Sequence, residues 1–122
     1  MHHYANIFVN PGETLSLDDF AQQLFAMLGI SNSKRHFDRD DHVYFEGSAA
    51  GIEFRVASFS PLPDYPFWVS FGLDESAQAA EYLIDHAKIL AWRFARAGWR
   101  SFIPRGEARR VANENDGVAY AI

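Results

Sequence analysis

The apolar and polar positions of this chain fall into short stretches of period two, interrupted twice by stretches of helical period. Tyr4 to Val9 alternates, with Ala5, Ile7 and Val9 on one side and Tyr4, Asn6 and Phe8 on the other, which predicts a first strand. Asn10-Pro11-Gly12 is a turn signal. Spacing then becomes helical: Phe20, Leu24, Met27 and Leu28 form one stripe, Ser16 is the N-cap with Asp19 three residues on, Leu15 can staple against Phe20, and Gly29 ends the helix. Lys34 to Asp38 reads as a short strand with Phe37 inward, and Arg39-Asp40-Asp41 as a turn. Val43 to Ser48 and Ile52 to Phe59 make the clearest hairpin. Val43, Phe45, Ile52, Phe54 and Val56 suit one face; Tyr44, Glu46, Glu53 and Arg55 suit the other; Ala49-Ala50-Gly51 lies between, with Gly51 able to take positive φ.

Pro61, Pro63 and Pro66 mark a loop that keeps strand pairing out, and Phe67 to Leu73 is a further strand. Ser76 to Ala97 then carries the longest helical pattern in the chain. At about 100° per residue, Ala80, Leu83, Ile84, Ala87, Leu90, Ala91 and Phe94 share one arc and predict a core-facing stripe. Asp74 is the expected N-cap, with Glu75 in the first turn and Gly98 at the stop. The opposite side is not simply polar: Tyr82, Ile89 and Trp92 stand there with Asp85, Arg93 and Arg96. Trp99 to Ile103 follows, and Val118 to Ile122 reads as a last edge strand or a frayed tail. Adjacent hairpins with two amphipathic helices predict an α+β fold, an antiparallel sheet of about four to five strands with both helices packed on one face. Residues 1–122 are expected to form a single domain, with 104–122 a loosely packed C-terminal segment.

Composition narrows the class. Hydrophobic residues make up 48% of the 122, with eleven Phe, five Tyr and three Trp, enough to build a packed core. The absence of cysteine excludes disulfides, thiol nucleophiles and thiolate zinc sites, and fits a reducing compartment. No apolar run approaches the ~20 residues of a membrane span, and the start MHHYANIFVN lacks the pattern of a signal peptide. A cytoplasmic protein is expected. His2 and His3 receive no role. Thirteen carboxylates face four Lys and Arg up to Asp85, while three face seven from His86 onward. An acidic body with a basic end suits a basic protein partner better than nucleic acid.

Chemistry-bearing motifs are sparse. His36 to His42 packs three carboxylates and two imidazoles into seven residues. An EF-hand loop counted from Asp38 would place Val43 and Ala49 where a glycine and a glutamate are required, and no HExxH spacing supports zinc or iron. A solvated charged turn, an acidic protein-binding loop and, last, a metal site from His36, His42 and an Asp remain, in that order. Ser48 stands one place early for a GxSxG elbow and lies in a hairpin, and phosphate loops are lacking. Glu46 and Glu53, on adjacent strands, could act as an acid–base pair only in a shared pocket. His86, at the edge of the long helix, reads as a structural histidine. Neither cofactor nor metal is expected. Tyr82, Trp92, Arg93, Arg96 and Trp99, with Arg100, form an aromatic–arginine patch. Phe102, Ile103, Val111 and Tyr120 folding back would cover it. A protein partner would use these residue types at its interface, and nucleic acid would use arginine on phosphates, against the acidic balance of the chain.

The hairpin HVYFEG-SAAG-IEFRVASF, the YPFWVSF strand after a proline loop and the closing long helix together resemble small bacterial immunity proteins, which neutralise toxins of contact-dependent inhibition and related polymorphic toxin systems. The resemblance spans residues 4–103 in element order. It implies a non-enzymatic cytoplasmic α+β protein whose partner is a cognate toxin domain, a nuclease, with no role for nucleic acid or membrane. Carboxylates would fill the toxin's basic cleft, and Asp38, Asp40, Asp41, Glu46, Glu53 and Asp64 are the residues expected to do so. Two alternatives stand beside it. One is an assembly module that forms a homodimer through the aromatic–arginine face of the long helix. The other is a small enzyme or ligand-binding domain using a cavity between sheet and helices.

Overall fold

The computed structural model describes residues 2–58, 60–74, 79–106 and 113–121. In chain order the elements are β1 (His2–Asn10), α1 (Leu17–Leu28), β2 (Lys34–Phe37), β3 (Val43–Ala49), β4 (Ile52–Ala57), β5 (Phe67–Asp74), α2 (Ala79–Arg96), β6 (Arg100–Pro104) and β7 (Gly117–Tyr120), with a turn of 3-10 helix at Glu114–Asp116. The fold is α+β, built on one antiparallel sheet. That sheet has seven strands in the order β2-β3-β4-β5-β1-β6-β7, not the four to five that the sequence predicts. The difference lies at the β6–β7 side. Trp99 to Ile103, for which the sequence predicts no element, overlaps β6, and β7 is a four-residue strand, too short to print a strong alternation. β1 occupies an inner position, with β5 on one side and β6 on the other. Within the C-terminal segment, residues 113–121 are described and supply an edge strand of the sheet. Asn113 and Asp116 form a capping box, and the chain then pairs Gly117–Tyr120 against β6.

The alternation of each strand creates two unlike faces. On one, Ile7 and Val9 of β1, Phe54 and Val56 of β4, and Val69 and Phe71 of β5 lie beneath both helices. Helix α1 contributes Phe20, Leu24 and Phe25, and α2 contributes Leu83, Ala87, Leu90 and Phe94. Each of the Val, Ile, Leu and Phe side chains among these stabilises the fold by about 1.5–3 kcal/mol through removal from water. Phe20 stacks on Phe67 at 4.1 Å and contacts Trp99 at 5.1 Å, and Trp99 in turn meets Phe94 at 5.5 Å. The space between sheet and helices is therefore filled with aromatic rings. The other face has a smaller cluster, in which Leu62 and Tyr65 of the proline-rich connection cover Phe8, Phe102 and Trp68.

Helix ends follow the local chemistry. The Ser16 hydroxyl accepts from the Asp19 amide at 3.1 Å, and Gly29 closes α1 at φ 72°. Gly98 (φ 85°) lets the Trp99 amide turn back to the Phe94 carbonyl at 2.9 Å. The N-cap expected at Asp74 lies outside the described residues, since 75–78 are not among them and Asp74 itself closes β5. Two apolar residues are not where the pattern places them. Ile84, at the margin of the predicted core arc, is 55% exposed, and Phe37, expected inward, is 60% exposed. β2 lies at the sheet edge, beyond the cover of the helices, so Phe37 packs instead under the Arg35 guanidinium at 5.4 Å. Among the described residues no helix is long and apolar enough to cross a membrane.

Candidate functional site

The acidic residues occupy three separate places. Asp38, Asp40 and Asp41 sit on the β2–β3 connection, all exposed. Asp38 organises that turn: its Oδ1 accepts from the amides of Asp40 at 2.8 Å and His42 at 2.9 Å, as an Asx turn requires. Its own amide donates to the His42 carbonyl at 3.0 Å, and Asp41 is left at φ 60°. The His42 amide bond holds the Asp38 carboxyl below its ordinary 3.8, against a partial loss of water, and the Asp40 amide and the nearby imidazole add to the effect. Asp38 therefore stays ionised at neutral pH. The donor atoms of Asp38, Asp40 and His42 lie within 4.8 Å of one another, but Asp38 already spends one oxygen on two backbone amides, and the group is open to water.

Glu46 and Glu53 belong to the sheet face away from the helices, roughly 10 Å and roughly 17 Å along the strands from the acidic turn. Cross-strand register places Glu46 against Arg55 and Ser48 against Glu53. Both Nε (3.2 Å) and Nη2 (2.9 Å) of Arg55 donate to Glu46 Oε2. The same guanidinium lies 4.8 Å over the Tyr44 ring, and His36, cross-strand from Tyr44, stacks on it at 5.3 Å. Asn32 and Ser48 exchange two hydrogen bonds at the hairpin end, Nδ2 to Oγ at 3.0 Å and backbone amide to Oδ1 at 2.9 Å. Together Asn32, Lys34, His36, Glu46, Gly47, Ser48 and Glu53 line a shallow recess of ≈ 120 Å³. It brings His36, Glu46 and Glu53 together, though on the sheet's outer face and not between sheet and helices. Glu46 is committed to Arg55 there, which leaves Glu53 as the exposed carboxylate of this group. Asp64 stands apart: its carbonyl accepts from Asn10 Nδ2 at 2.8 Å, beside the end of β1, three strand spacings or roughly 14 Å from β3.

The aromatic–arginine patch also separates. Trp99 is only 6% exposed and belongs to the core. Arg93 donates to the Met27 carbonyl, satisfying the C-terminal end of α1 and tying the two helices together. Arg100 lies on the far side of the sheet, 5.9 Å over the Tyr65 ring. Tyr82, Ile89, Trp92 and Arg96 remain on the outer face of α2. Trp92 is held edge-on to Tyr120 of β7 at 5.3 Å, and Tyr82 stacks on His86 at 5.7 Å. His86 is half-buried, edge-on to Phe71 at 5.5 Å, and burial pushes its imidazole below the ordinary 6.5. It is a structural histidine in its contacts. Sequence reasoning passed over Phe37 and Ile84 as surface groups; the edge position of β2 and the marginal phase of Ile84 are the signals that mark them. No family model matches the chain, and no curated protein matches its sequence.

Proposed function

We propose that this protein is a non-enzymatic binding domain of the immunity type, which occludes the basic cleft of a cognate nuclease toxin in the cytoplasm. One observation carries the reading: Asp38, Asp40 and Asp41 are presented together at one end of the sheet, exposed and fixed by the two amides that Asp38 accepts. A turn so held loses little freedom on binding, and its charge raises the rate of encounter with a cationic surface. Phe37, paired with Val43 beside the turn, flanks the approach as an exposed ring for a pocket on the partner, and Glu53 adds a carboxylate at the other end of β3. Glu46 serves through its pairing with Arg55, by shaping the face.

The test begins with affinity purification of the tagged protein from its source cells and identification of a stoichiometric, basic fragment of a larger secreted protein. Association of that fragment is then followed by stopped flow. Asp40→Asn with Asp41→Asn, which spares the carboxylate holding the turn, should slow association about tenfold at low salt and flatten its salt dependence. The triple variant with Asp38→Asn should slow it further. Unchanged kinetics in both variants would remove the acidic turn from the interface.

A further inference from the structure

We propose that α2 is a dimerisation helix, whose outer stripe packs against the same stripe of a second copy, antiparallel about a two-fold axis at Ile89. The surface lies on the helix side of the sheet and is independent of the acidic turn. Ile89 is the most exposed large apolar side chain among the described residues, at 63%. On a helix of about 100° per residue, Tyr82, Asp85, Ile89, Trp92 and Arg96 lie opposite the buried Leu83, Ala87, Leu90 and Phe94. The stripe thus has an apolar centre with opposite charges at its two ends: Asp85 toward the N-terminus, Arg93 and Arg96 toward the C-terminus.

That charge order is complementary to itself only when reversed. In an antiparallel pair centred on Ile89, Asp85 stands about 6 Å before the axis and the second copy's Arg93 about 6 Å after it on its own helix, so the two meet at one level. They lie about 40° to either side of Ile89 on the helix wheel, so the length of the arginine side chain has to carry the guanidinium across to the carboxylate. Tyr82 and the second copy's Arg96 meet in the same way one turn further out, a guanidinium against a ring face. A parallel pair would set Arg96 on Arg96 and Asp85 on Asp85, which like-charge repulsion disfavours. Each favourable pair occurs twice, as an isologous contact demands. The groups are also held ready. Arg93 is anchored by the Met27 carbonyl and keeps further donors; Trp92 is braced by Tyr120. Among the described residues neither Asp85 nor Arg96 has an ion-pair partner. Three turns of helix make an interface at the low end of the usual size range, so association in the micromolar range is expected.

Sedimentation equilibrium of the full chain tests this, with circular dichroism confirming that each variant is folded. The wild type should dimerise as its concentration rises, and Ile89→Asp should remain monomeric. Asp85→Arg and Arg93→Glu should each weaken dimerisation about tenfold or more, since each reversal places like charges together twice. Arg96→Glu, which leaves the Met27 bond intact, should also weaken it. Mixing Asp85→Arg with Arg93→Glu should restore association, because every acid then faces a base again. A wild type still monomeric at about 1 mM, a dimer indifferent to Ile89→Asp, or a mixture no tighter than its parents would overturn the proposal.

Discussion

The two faces of the sheet are made from the same strands yet organised by different physics. Beneath the helices, Ile7, Val56, Val69, Phe20 and Phe94 are wholly buried, and the layer is held by area removed from water and by ring packing. Across the sheet, the residues one position along in each strand form a row of His36, Tyr44, Glu46 and Arg55 that stays wet and polar. Among the described residues, this second face acquires an apolar cover at the β1–β6 side, from Leu62 and Tyr65. The contrast teaches that stability and surface chemistry are assigned to opposite parities of the same strands. The outer row can therefore change with little cost to the fold, while the inner one cannot.

The sharpest way to break this contrast is to cut each face and compare. Phe20→Ala removes a ring sandwiched between Phe67 and Trp99 and should destabilise by about 3–5 kcal/mol in urea denaturation. A loss near 1 kcal/mol would mean that the helix layer collapses to fill the gap. The smaller cluster is probed by Gly117→Ala. A methyl there would run into the Ile103 carbonyl and the Phe102 ring, backbone and a fully buried group, so neither yields easily. A loss of about 1–3 kcal/mol is expected, with earlier hydrogen exchange of the β7 amides. Gly47→Ala is the companion test: its nearest obstacle is Cγ2 of the buried Ile30, a branched side chain with little freedom to turn, so a loss of about 1–3 kcal/mol is expected there as well.

How much of this was legible in the sequence follows from which forces act locally. β1, the β3–β4 hairpin and both helices were readable, since alternation and caps such as Ser16 and Gly29 are properties of neighbouring residues. The strand order was not, because the insertion of β1 between β5 and β6 depends on pairing across long stretches of chain. β7 was read only as an edge strand or a tail: four residues carry too little pattern, and what fixes them is a register against β6. The hairpin turn was read in part. Gly51 was expected at positive φ, but Ala50 also adopts it, at 53°, because a two-residue turn of this hand requires it at both positions. The acidic residues were legible one by one and not as a surface. Their charges are local facts, whereas the pairing of Glu46 with Arg55 and the distance of Asp64 from the rest follow from the sheet.

The gentlest test of the contrast is a double-mutant cycle on Glu46 and Arg55. Geometry favours this pair, since two guanidinium nitrogens share one carboxylate oxygen, yet Arg55 is 55% exposed and Glu46 32%. Water at that site weakens the attraction, and fixing two long side chains costs entropy, so a coupling of about 0.2–1 kcal/mol is expected. It should shrink in about 1 M salt, where charges are screened within about 3 Å. Arg55→Ala should cost more than Glu46→Ala, because it also uncovers the Tyr44 ring on which the guanidinium rests. A coupling above about 2 kcal/mol would be the energy of a desolvated pair. The outer row would then be part of what holds the fold, and the division of labour between the two faces would fail at the residues that represent it best.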